Sequence, residues 1–101
     1  MGSRLELQTL LETVLGSRNV YFQPPESIKM QYDAIVYFRK RIDNRYANNG
    51  VYKQDNAYEL IAIYEDPDSD LPMRLSQLPM CSFERHYTAD NMNHDVYTIF
   101  Y

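Results

Sequence analysis

Residues 32–40, YDAIVYFRK, constrain the fold more than any other stretch of this chain. Their side chains alternate as in a strand, with Ala34, Val36 and Phe38 on one side and Ile35 and Tyr37 on the other. Both sides are partly apolar, which suits a strand in the middle of a sheet. Residues 57–65, AYELIAIYE, read as the next strand, with Tyr58, Leu60, Ala62 and Tyr64 set against Ile61 and Ile63.

The remaining elements fall around this pair. In SRLELQTLLETVLG, Ser3 and Glu6 form an S-x-x-E capping box, and Leu7, Leu10, Leu11, Val14 and Leu15 follow as one apolar stripe. Gly16 is a natural helix stop. The polar face of this helix is mixed in sign, which favours packing on a core over lying on a membrane. Val20–Phe22 is a short strand halted by Pro24 and Pro25. Leu71, Leu75 and Leu78 mark a second, short helix, with Pro72 in its first turn and Pro79 ending it. MCSFERHYT, residues 80–88, alternates Cys81, Phe83, Arg85 and Tyr87 against Met80, Ser82, Glu84 and His86. ADNMNH is turn-rich, and DVYTIFY closes the chain as a strand.

The order α-β-β-β-α-β-β predicts an α+β domain: a mostly antiparallel four- to five-stranded sheet with both helices on one face. The whole of 1–101 reads as a single domain. Arg41 to Asn56, RIDNRYANNGVYKQDN, is polar and carries the turn signal Asn48-Asn49-Gly50, so it reads as a projecting loop or hairpin. The face opposite the helices has to be solvated or covered by another molecule. Ten Tyr and four Phe with no Trp favour a covered face, because tyrosine joins large apolar area to a polar tip and is enriched at interfaces.

Composition narrows the function classes. A net charge of -4 argues against nucleic-acid or acidic-membrane binding through a global field. One cysteine, Cys81, allows no intrachain disulfide. No apolar run approaches the roughly 18 residues of a membrane span, and the N-terminal stretch reads as an amphipathic helix and not as a signal peptide.

The densest cluster of chemistry is Glu65, Asp66, Asp68 and Asp70, four acids in six residues. As a calcium loop starting at Asp66 it would need Gly at the sixth position and Glu at the twelfth. Leu71 and Gln77 stand there instead. The stretch reads better as a strand end, a turn and a helix start, where Asp and Ser cap and negative charge complements the helix dipole. His86 and His94, with Cys81 or Asp90, match no standard zinc spacing and read as solvated or interface residues. Cys81 and His86 should point to opposite faces of one strand, which removes a thiol–imidazole pair. Arg39, Lys40, Arg41 and Arg45, interleaved with aromatics, form a short basic strip that could face a confined DNA path. No phosphate-binding glycine loop or nucleophile elbow is present. These features predict neither an enzyme nor a bound cofactor or metal.

Four strings, LGSRNVYFQPPES, YANNGVY, DPDSDLPMRL and LPMCSFERHYTADNMNHDVYTIFY, together resemble a family of small neck proteins of long-tailed phages and prophages of Gram-positive bacteria. Members are often called tail completion or tail terminator proteins. The resemblance runs from about Leu15 to Tyr101. It implies a tail-terminator-like fold of the lambda type and a non-enzymatic virion protein of the head–tail joint, assembled in the host cytoplasm. Such a protein forms a six-fold ring that caps the tail tube, ends its polymerisation and meets the head connector or stopper. DNA would pass through the ring without sequence-specific binding, and no membrane is involved. Within that frame Arg41, Arg45, Tyr46, Asn48, Asn49, Tyr52, Lys53, Tyr97 and Tyr101 are the expected subunit or partner interface. The alternatives are a head-completion protein on the portal side and a small protein-binding module outside the virion.

Overall fold

The computed structural model describes residues 3–47 and 50–101, and over 41–47 and 50–56 it describes the backbone. Two helices and five strands follow in the predicted order: α1 (Arg4–Leu15), β1 (Val20–Phe22), β2 (Ala34–Ala47), β3 (Gly50–Tyr64), α2 (Leu71–Ser76), β4 (Cys81–Ala89) and β5 (Met92–Phe100). The sheet order is β1-β2-β3-β5-β4. β1 runs parallel to β2, and the other three pairings are antiparallel, so the sheet is mixed.

Local chemistry sets the helix ends. The Ser3 hydroxyl accepts from the Glu6 amide at 3.2 Å, and the Glu6 carboxylate accepts from the Ser3 amide at 3.3 Å. The capping box therefore forms as the sequence predicts. Gly16 ends α1 with φ 82, a left-handed conformation that costs glycine little. At α2 the division of labour is finer than expected. The Ser69 hydroxyl accepts from the Leu71 amide at 3.2 Å, and the Asp66 carboxylate accepts from the Asp68 amide at 2.9 Å. Asp70 makes no capping bond and instead pairs with Arg74 at 3.0 Å, one helical turn on. α2 ends at Ser76, short of Pro79, because Gln77 and Leu78 tighten into i→i+3 bonds with Arg74 and Leu75.

The core lies between the helices and one sheet face. Leu7 and Leu11 of α1 and Leu71 and Leu75 of α2 pack with Ile35, Tyr37, Tyr58, Leu60, Ala62, Tyr64, Tyr97 and Ile99. Burying each such leucine contributes about 1.5–3 kcal/mol. Both predicted central strands split their faces as read: Ile35 and Tyr37 go to the helices, while Ala34, Val36, Ile61 and Ile63 face away.

Three sequence expectations are corrected here. Few of the described tyrosines lie on the face opposite the helices, Tyr87 among them. Tyr37, Tyr58, Tyr64 and Tyr97 lie under the helices, where each hydroxyl finds a partner that a sheet of leucines would not need. The opposite face is mainly apolar, with Val36, Phe38, Ile61 and Ile63, and the chain covers part of it with its own loop after β1. The Gln31 amide donates to the Tyr21 hydroxyl at 3.2 Å, folding that loop back. Second, β4 does not alternate throughout. Its pairing shifts between Phe83 and Arg85, so Glu84 is an extra residue. The bulge returns Cys81 and His86 to one face, opposite Ile99 and Asp95. Third, the turn before the last strand is only Asp90-Asn91, both with positive φ (53 and 63), and β5 begins at Met92. Two left-handed residues make the tight turn that matches strand twist, and Asp and Asn tolerate it.

Candidate functional site

The predicted excursion is a continuation of the two central strands. β2 and β3 stay paired from Ala34 with Ile63 out to Ala47 with Gly50, with irregularities between Arg39 and Arg41 and between Arg45 and Tyr46. Nothing in 41–56 stops a strand: the segment has no proline, and its one glycine, Gly50, stands at the turn. β5 pairs with β3 only from Ala57 to Tyr64. Beyond Ala57 the described ladder is therefore two strands wide. Seven residues per strand reach roughly 23 Å. The molecule is correspondingly long, 51 × 27 × 22 Å, with a radius of gyration of 14.7 Å where about 13 Å is usual for this length.

Of the expected interface residues, Arg41 pairs with Ala57, Arg45 with Lys53 and Tyr46 with Val51 along this arm, and Tyr52 stands at the second irregularity. Asn48 and Asn49 lie outside the described residues. Tyr97 is placed elsewhere: it is 1% exposed, its ring meets Phe83 at 5.5 Å, and its hydroxyl donates to the Pro72 carbonyl at 3.1 Å. It locks α2 onto the sheet and offers no surface, because strand alternation turns it inward with Ile99. Tyr101 is half-buried against the same core.

The face away from the helices holds a shallow groove of about 280 Å³. Val36, Phe38, Ile61 and Ile63 form its floor, and Pro24 and Ile28 stand among its walls. Tyr87 and His94 line one part of it, their rings stacked at 4.7 Å. His94 thus lies on this face, whereas His86 is opposite Asp95 on the other. The two histidines do not converge, and among the described residues no group of three His, Cys, Asp or Glu side chains is placed to hold a metal ion. No described helix is long and apolar enough to cross a membrane.

One polar cluster was missed by sequence reasoning. Asp95 is the buried charged residue of the described core, 5% exposed. Its carboxylate accepts from the Tyr64 hydroxyl at 3.1 Å and bonds the Nδ1 side of His86. Burial first, and then the Asp95 charge, push the Tyr64 hydroxyl up to about 12. A Tyr–Asp–His relay of this kind fixes the imidazole and satisfies the carboxylate, and no enclosed substrate cleft adjoins it among the described pockets. Cys81, half-buried, is pushed up to about 11 by burial, which leaves it a poor nucleophile. On the other face, Glu84 is bonded by the Thr98 hydroxyl and by Lys40 at 3.4 Å, and these contacts hold its carboxyl below the usual range.

No protein-family model, characterised protein or solved structure was found to match the chain. Among the described residues the main surface features are a two-stranded arm, an apolar groove and an open sheet edge.

Proposed function

We propose that this chain is a structural protein of the head–tail joint of a long-tailed phage: a tail terminator that assembles as a ring, caps the tube and meets the head connector. The observation that carries the reading is the ordered resemblance from Leu15 to Tyr101. It is supported by an α+β domain whose central hairpin runs beyond the sheet, since a ring needs one patch of each subunit to reach a different patch on the next. The arm is the reaching element and carries Arg41, Arg45, Tyr46, Tyr52 and Lys53. The apolar groove is a receiving surface.

The test is electron microscopy of lysates from a phage lacking this gene. Filled heads beside separate, overlong tails are the expected result, because tube polymerisation has lost its stop. Heads that have lost DNA, beside tails of normal length, would instead assign the protein to the portal side. Normal particles in normal yield would remove it from the virion and leave a small protein-binding module.

A further inference from the structure

β4 is the end strand of the sheet, and no described segment pairs with its outer edge. From Ser82 to Ala89 every residue is exposed, and Phe83 presents 54% of its surface to solvent. The opposite end of the sheet is different. β1 has only three residues, and the Gln8 side chain already donates to its Val20 carbonyl at 3.0 Å. An open row of main-chain donors and acceptors is matched by one chemistry, another extended strand.

The bulge decides which strand. In an unbroken strand, a two-fold axis between neighbouring residues would set side chains of opposite faces against each other. The extra residue Glu84 reverses the alternation, so Cys81, Phe83 and His86 share the helix side while Ser82, Glu84, Arg85 and Tyr87 share the other. An axis between Glu84 and Arg85 then brings like faces together along the whole strand. Phe83 meets the partner's His86, Ser82 meets the partner's Tyr87, and Cys81 meets the partner's Thr88. At the centre Glu84 meets the partner's Arg85, twice over. The bonds from Lys40 and Thr98 both go to Oε2 of Glu84, leaving Oε1 for that contact. Charges on an edge strand ordinarily discourage pairing, but this set is self-complementary and so admits its own copy while rejecting most other strands.

We propose that β4 pairs antiparallel with β4 of a second copy of this chain, across a two-fold axis between Glu84 and Arg85, joining two sheets into one. The contact is isologous and closes at two. It is separate from the arm: it uses the sheet edge and touches the groove only at its Tyr87 rim.

Sedimentation equilibrium of the purified full chain, over roughly 1 µM to 1 mM, is the test. The wild type should form a reversible dimer. Glu84→Arg and Arg85→Glu should each weaken it by about tenfold or more, because opposed charges become like charges. An equimolar mixture of the two variants should recover a heterodimer, and β4 amides should exchange more slowly in the dimer. Circular dichroism checks that each variant is folded. A wild type that stays monomeric overturns the proposal and leaves the edge to a strand of another protein. A dimer indifferent to both reversals, or a mixture no tighter than its components, also overturns it. Should Glu84→Arg fail to fold, an unweakened Arg85→Glu dimer is sufficient to do so. The lysate experiment fails or succeeds independently of all these outcomes.

Discussion

Asp95 shows how much a single buried charge constrains. A carboxylate taken out of water is tolerated only when its oxygens are bonded, and here Tyr64 and His86 supply the bonds. Tyr64→Phe removes one donor and leaves the charge in place, so it should lower stability by about 1–3 kcal/mol in urea unfolding. The tyrosines also set the alkaline limit. Burial is the main cause that raises Tyr64 and Tyr97 from 10.0 to about 12, and the Asp95 charge adds to both. Below pH 10 these hydroxyls are neutral in both the folded and the unfolded chain, so their contribution is fully present. As pH rises from 10 to 12 the unfolded chain ionises first, and that contribution is lost. Cys81, raised from 9.0 to about 11, adds a loss of the same sign beginning one unit lower. Urea midpoints should therefore hold steady to about pH 9 and fall steeply by pH 12, together with the tyrosinate absorbance change. A flat profile across that range would mean the hydroxyls ionise without unfolding.

At the scale of elements, the helices depend on each other as well as on the sheet. Arg74 of α2 donates to the Val14 carbonyl near the end of α1 and pairs with Asp70. Its cation meets the negative end of the α1 dipole, and its Nε is buried without a hydrogen bond, so the residue is fitted to that carbonyl at some expense. Arg74→Met keeps the apolar stem and removes the fork. It should cost about 1–2 kcal/mol, read as an earlier thermal midpoint with an unchanged circular dichroism spectrum at low temperature. β4 behaves oppositely. Beyond Cys81 it is exposed on both faces, so substitutions at Ser82 or Thr88 should leave stability within about 0.5 kcal/mol.

For the whole molecule, the division between a packed body and a two-stranded arm makes a prediction of its own. Joining Arg41 to Ala57 through a two-residue Asn-Gly turn should leave the body cooperatively folded, since β5 pairs with β3 only from Ala57 to Tyr64 and the described ladder beyond is two strands wide. For the proposed tail terminator, the same shortening should abolish incorporation into particles. Tyr46→Ala and Tyr52→Ala should impair assembly in complementation while the isolated chain keeps its melting transition. If both lose that transition, those tyrosines support the body and the arm is not the contact.

Much of this was legible in the sequence. Ser3, Glu6 and Gly16 determined one helix through short-range bonds, and the alternation in 34–38 and 58–64 determined two strands and their faces, because burial on a pleated sheet has period two. The turn role of Asp66–Asp70 was also local. Three matters were decided only by the tertiary structure. Which face the helices would cover depended on shape and hydrogen-bond partners across the chain, such as Gln8 for Tyr37 and Pro72 for Tyr97. The bulge at Glu84 depended on pairing with β5, and no residue in CSFERHYTA marks it. The joining of Tyr64, Asp95 and His86 depended on three strands lying side by side, residues 31 and 9 positions apart in the chain. Local bonds are written within a few residues; contacts between strands exist only once the sheet has closed.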